Sequence, residues 1–228
     1  MVAEESLEEI LGIHFHDPAL LKMALTHRSY IYEGRGIGQP SNERLEFLGD
    51  SILAFIATDF LYRTYPALTE GELSDIRVML IRTETLAVFA QDMQLETFMR
   101  MGRGERRREV GKRVLASTFE ALLGAIFLDQ GMATVQEFLL PRLEPLTGAI
   151  VAQKLFKDDK SLFQELAQAH EGVTPVYRLV SQEGPSHDRE FTVEVLVGNE
   201  MAGRGQGRNK QTAEQEAAHA ALVSRGWI

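Results

Sequence analysis

Cysteine is absent from the 228 residues of this chain, so disulfides and thiolate zinc sites are excluded and a reducing compartment is permitted. Long apolar runs are missing as well. None approaches the roughly 20 residues that span a bilayer, and the first ten residues are acidic, with no basic stretch ahead of an apolar core. The chain reads as cytoplasmic, with no membrane partner. An excess of positive charge is also lacking: the net charge of −9 argues at first against a nucleic-acid partner. Local charge softens that objection, because residues 103–113 hold six Lys/Arg against two Glu, and a phosphate backbone responds to the local field. Finally, no β alternation occurs before residue 170, so the first 150 residues read as all-helical.

What is present centres on Asn42-Glu43-Arg44-Leu45-Glu46-Phe47-Leu48-Gly49-Asp50-Ser51. Ser41 and Asn42 follow Pro40 and are placed to cap a helix, with Glu43 in its first turn, where the dipole favours an anion. At about 100° per residue, Glu43, Glu46 and Asp50 share one narrow arc, opposite an apolar stripe of Leu45, Leu48 and Ile52. Three stacked carboxylates repel one another, and a divalent cation bound through oxygen is the usual relief; a solvated acidic face is the plainer alternative. Phe47 lies on the acidic side and needs cover, which a partner subunit could supply. A second helix, over about 114–129, turns Glu120 away from Leu115, Leu122 and Ile126, and Gly124 leaves room for another element to approach. If the two helices pack together, Glu120 joins Glu46 and Asp50 around one cation. Hard oxygen ligands suit Mg²⁺, or Mn²⁺ in its place.

Further elements follow from local signals. Helices are expected at 5–12 and 18–26, from 43 to Pro66, from a Thr69/Glu72 capping box to about Ala90, and over 132–143. The His14/His16 pair reads as loop histidines, since no further ligand lies near it in sequence. After Lys154 the composition shifts. A helix at 161–169, an alternating strand at 191–197, a glycine-rich turn at 203–207 and an alanine-rich helix at 209–224 give the order α-β-β-β-α. Two domains are expected, 1–150 and 158–226.

The ten residues at 42–51 closely resemble the ribonuclease III signature. Leu25-Thr26-His27-Arg28-Ser29-Tyr30, Thr69-Glu70-Gly71-Glu72-Leu73 and Phe119-Glu120-Ala121-Leu122-Leu123-Gly124-Ala125 resemble further motifs of that family, in the same order. The resemblance implies metal ligation by Glu46, Asp50 and Glu120, with Asp50 and Glu120 catalytic. It puts Glu43 and Glu70 in an extended acidic cleft and plugs Phe47 into the partner subunit of a homodimer. At one metal-ligand position this chain departs: the family pattern has Asp three residues before Glu120, and here Ser117 stands there, a poorer ligand for Mg²⁺.

From about residue 159 to 225 the chain resembles a double-stranded RNA-binding domain. Such domains read A-form shape across two minor grooves. The resemblance implies that Ser161, Gln164, Glu165 and Gln168 meet 2′-hydroxyls and that the turn carrying Pro185 and His187 enters the next groove. Asn209, Lys210 and Gln211 open the last helix, whose N-terminus favours phosphate; the family has a second cation where Gln211 stands.

The whole pattern implies a homodimeric, Mg²⁺-dependent endoribonuclease of double-stranded RNA. Its products would carry 5′-phosphates, and ribosomal RNA precursors and structured messenger RNAs would be its substrates. Two other readings stand beside it. One is a non-catalytic duplex-binding protein disabled by Ser117; the other is a metal phosphohydrolase of small nucleotides, against which the second domain argues.

Overall fold

The computed structural model describes residues 2–34, 38–106, 110–153, 158–185 and 189–228. Two compact units make up the chain, Met1–Phe156 and Lys157–Ile228. In the first unit the helices are α1 (Val2–Leu11), α2 (Pro18–Ala24), α3 (Arg28–Tyr32), α4 (Glu43–Thr64), α5 (Glu70–Ile81), α6 (Thr83–Asp92), α7 (Leu95–Phe98), α8 (Arg103–Arg106) and α9 (Lys112–Ala152). Helix α9 is the axis: α2, α4 and α6 pack on it, and Phe119, Ala121, Leu122, Leu123, Ala125 and Ile126 are all fully buried. By length and composition it would cross a membrane, but 56% of its most apolar stretch is buried inside the protein, as a core helix should be.

Gly131, at φ 84°, kinks α9 where the sequence suggests a boundary between two helices. The second half then runs on to Ala152, past Pro141 and Pro145, beyond the expected end at 143. Just before the kink, Asp129 accepts the backbone N–H groups of His16 and Asp17, both at 2.9 Å, and so fastens the loop ahead of α2 to α9. Burial works against ionisation of Asp129, yet these two donors and the Gln130 amide outweigh it and hold the carboxyl below the usual range. His14 lies 2.8 Å from Glu8 and His16 3.7 Å from Asp129, so the histidine pair serves the same loop.

The expected helix from 70 to 90 is two helices. The Thr69/Glu72 capping box forms, but Arg82 is extended (ψ 155°) and separates α5 from α6. No glycine or proline marks the break; the Thr85 hydroxyl donates to the Met79 carbonyl at 2.7 Å and satisfies an acceptor that the ending helix leaves free. The cap expected of Asn42 also differs. Asn42 is buried, its backbone N–H donates to the Thr26 carbonyl, and its side chain makes no capping bond.

In the second unit α10 (Asp159–Glu171) precedes an antiparallel sheet, β1 (Val176–Glu183), β2 (Glu190–Val197) and β3 (Glu200–Gly207) in that order, and α11 (Lys210–Ser224) closes it. The glycine-rich segment at 203–207 is not a turn but strand β3. A Cβ at Gly203 would lie 2.3 Å from the Ala217 carbonyl oxygen, and one at Gly205 2.2 Å from the Ala217 nitrogen. The glycines are there to let α11 lie on the sheet through Ala213, Ala217 and Ala221, which are fully buried. The true turn has Gly198 at φ 62°.

Candidate active site

Helices α4 and α9 cross with backbone touching backbone. A Cβ at Gly49 would fall 1.8 Å from the Glu120 carbonyl oxygen, and one at Gly124 2.4 Å from that of Leu45. Each glycine thus admits the main chain of the other helix, and the residues flanking the crossing are brought together whatever their charge. Those residues are Glu46 and Asp50 on α4, and Ser117 and Glu120 on α9.

The carboxylates sense one another. Burial pushes the Glu120 carboxyl up to about 7, with further contributions first from Asp50 and then from Glu46. Ser117 Oγ donates to Glu46 Oε1 at 2.8 Å, tying that carboxylate to α9. Among the described residues no three Asp, Glu or His side chains are drawn into one ready-made coordination group. The donor chemistry still suits a hard divalent cation: the crossing carries carboxylates on both helices, and a nearby positive charge would offset both the burial and the like-charge repulsion that raise Glu120.

Beside this cluster lies a cavity of about 380 Å³, lined by His27, Arg28, Asn42, Glu43, Glu46, Arg113, Val114 and Ser117. Glu43 takes part here, not at the crossing: it accepts from Ser41 Oγ at 2.8 Å and lies 3.5 Å from Arg28. Glu70 stands elsewhere. It accepts from Ser74 Oγ and lines a separate, more apolar cavity with Leu61, Tyr62 and Arg77. Phe47 is 80% exposed, on the solvent side of α4, and Phe55 and Tyr62 on the same helix are exposed too.

In the second unit Ser161, Gln164, Glu165 and Gln168 share one face of α10 and line a single depression with Thr174. Asn209 caps α11, accepting the Thr212 N–H at 2.8 Å, while Lys210 is exposed and only 3.8 Å from Glu214. Gln211 and Pro185 are exposed; His187 lies outside the described residues.

The family model described as "Ribonuclease-III-like" matches residues 17–146. The chain belongs to the ribonuclease III family. The model of the double-stranded RNA binding motif matches residues 160–223. Among curated relatives, "Ribonuclease 3" of Roseiflexus sp. is 46% identical and the match spans 96% of this chain and 94% of the relative. "Ribonuclease 3" of Pelotomaculum thermopropionicum is 42% identical, over 95% of this chain and 91% of that one. Among solved structures, the nuclease domain of ribonuclease III from Campylobacter jejuni, described for flexibility in its dimer-forming region, superposes with a TM-score of 0.57 at 32% identity. That match covers 62% of this chain and 96% of the other.

The ribonuclease III nucleases are generally metal-dependent, which the oxygen-rich crossing of α4 and α9 suits. The sequence points to Glu46, Ser117 and Glu120 and, through the basic stretch at 103–113, to phosphate contact, but gives His27 and Arg28 no role of their own. His27 and Arg28 sit in a segment that was singled out as a motif, and Arg113 in the basic stretch; what the sequence does not carry is that both segments open onto Glu46.

Proposed function

We propose that this ribonuclease III, an endoribonuclease of double-stranded RNA, hydrolyses phosphodiester bonds at the crossing of α4 and α9, with Mg²⁺ as its cation and Mn²⁺ able to replace it. The observation that supports this is the close crossing of α4 and α9, where Gly49 meets the main chain of Glu120 and Gly124 that of Leu45, so that Glu46, Asp50 and Glu120 stand on chain segments in contact; the effect of Asp50 and Glu46 on the Glu120 carboxyl agrees with it. Glu46, Asp50 and Glu120 would hold the cation, and Asp50 and Glu120 would act closest to the reacting phosphate. When bound there, a divalent cation supplies charge to the leaving oxygen and acidity to a water. Ser117 offers a neutral oxygen in place of an anion, and its proton is engaged with Glu46, so it contributes little attraction for the metal and orients one ligand instead.

The nuclease part is assigned to residues 1–150 and the binding domain to 158–226. In the latter, Ser161, Gln164, Glu165 and Gln168 face a minor groove, Pro185 and His187 the next one, and Asn209, Lys210 and Gln211 the intervening phosphates. The protein acts as a homodimer in the cytoplasm, with Phe47 covered by the partner and Glu43 and Glu70 extending the acidic cleft. Products carry 5′-phosphates, and ribosomal RNA precursors and structured messenger RNAs are the substrates. Relatives named Ribonuclease 3 at 42–46% identity over nearly the whole chain support this reading over a purely duplex-binding protein. The deciding assay is cleavage of a long RNA duplex with and without Mg²⁺. Metal-dependent cutting by the parent, lost in Glu120→Gln with duplex binding kept, is the expected result; no cutting at any metal concentration would favour the non-catalytic role.

A further inference from the structure

His27 stands on the wall of the cavity beside Glu46 and Ser117, at the N-cap of α3. The surroundings assign its two ring nitrogens. Nδ1 accepts the Ser29 backbone N–H at 3.3 Å and lies 2.8 Å from Ser29 Oγ. Ser29 Oγ accepts the Gly102 N–H at 3.0 Å, which leaves its own proton free for Nδ1. With Nδ1 an acceptor, the neutral ring carries its proton on Nε2. Nε2 has no hydrogen-bond partner among the described residues. Burial, the largest influence, keeps the imidazole below its ordinary range in spite of Glu105, Glu43 and Glu46.

Two cations share the cavity. Arg28 lies 3.5 Å from Glu43, with both side chains more than half exposed, a pair that an incoming oxyanion opens at little cost. Arg113 has no ion pair among the described residues. Two guanidinium groups and a neutral N–H share the cavity with Glu43 and Glu46; with the exposed Glu43 turned out to solvent, they fit an anion that sits next to a cation held by Glu46. A neutral donor is the suitable one here, since an imidazolium would compete with that cation for Glu46. Asp50 and Glu120 do not line the cavity, so its occupant lies beside the acidic cluster and not at it.

Resting on the reading of Glu46, Asp50 and Glu120 as the cleavage site, we propose that this cavity seats one backbone phosphate of the RNA strand, next to the bond that is cut. His27 Nε2–H donates to a non-bridging oxygen of that phosphate, and Arg28 and Arg113 balance its charge. The seat fixes the register of the strand against Glu46.

The test separates binding from cleavage. Full-length Glu120→Gln protein is titrated, without metal, with short duplexes bearing one uncharged methylphosphonate at successive positions near the cut. His27→Asn keeps an acceptor for the Ser29 N–H at the N-cap but lacks the Nε2 donor, whereas His27→Gln keeps an amide N–H near that position. One methylphosphonate is expected to weaken binding about tenfold, the loss of one charge-assisted hydrogen bond. His27→Asn should weaken the unmodified duplex by a similar factor, the two together should cost no more than either alone, and His27→Gln should recover most of the loss. Parent-like binding by His27→Asn, or penalties that multiply, would overturn the seat. Arg113→Gln, at an exposed side chain, runs the same cycle should a His27 variant fold poorly. Cleavage by Glu120→Gln in Mg²⁺ would bring down the active-site reading, and with it the assigned position of the seat, while the binding cycle decides separately whether the phosphate contact exists.

Discussion

Glu120 is the carboxyl whose protonation the fold controls most strongly, and its value of about 7 lies above the ordinary 4.5. Between those values the folded protein holds this proton while the unfolded chain releases it, so metal-free stability is fully present at low pH and falls as pH rises from 4.5 to about 7. Glu120→Gln removes that slope. Urea titrations of the metal-free proteins should find parent and variant equal near pH 4 and the variant more stable by about 1–2 kcal/mol at pH 8, after allowance for the partial exposure of the group. Position 117 works in the opposite sense. Ser117→Asp replaces a hydroxyl that donates to Glu46 by a fourth anion, which should lower metal-free stability yet strengthen the hold on a cation. Half-saturating Mg²⁺ for cleavage should drop severalfold and the rate at limiting metal should rise. A titration that leaves both unchanged would place residue 117 outside the coordination sphere.

At the scale of elements, two close crossings organise the two units, and both use glycine against main chain: Gly49 and Gly124 where α4 meets α9, Gly203 and Gly205 where β3 meets α11. Gly205→Ala forces a methyl group onto the Ala217 nitrogen and should destabilise the second unit by about 3 kcal/mol, the upper end for overpacking. Duplex binding at physiological salt should then fail while metal-dependent cleavage remains measurable at low salt; binding at parental strength would mean that the sheet yields. These crossings also explain what the sequence discloses. The acidic arc of α4 and the room left at Gly124 are local patterns, so the helices and their polar faces are legible. Strand β3 is misread as a turn because the need for glycine there comes from α11, which follows it and folds back. The break at Arg82 has no local sign, being supported by a Thr85 hydroxyl bonded to a carbonyl six residues earlier. The cavity at His27 escapes notice for a like reason, since His27 comes beside Glu46, and Ser29 to Gly102, only in the fold.

For the molecule as a whole, Phe47 bears on assembly. An aromatic ring 80% exposed on its own subunit contributes little to that subunit's folding, so Phe47→Ala should spare unfolding free energy and weaken the dimer. Sedimentation equilibrium reads the second effect and urea unfolding the first; an unchanged dimer with a loss of about 3–5 kcal/mol would put the ring in a core. The contact of Gly49 with α9 has a consequence of another kind. Where main chain rests on main chain, the gap between the helices that carry Glu46 and Glu120 is set by the size of backbone atoms, as a gauge block sets a gap, and not by the fit of neighbouring side chains. Durability and chemistry are thereby uncoupled. Leu61→Ala, at a buried site near the far end of α4, should cost about 2–5 kcal/mol and lower Tm, yet leave half-saturating Mg²⁺ where it was. The core is free to drift toward a hotter or colder habitat while the spacing of the segments that carry Glu46 and Glu120 keeps its calibration.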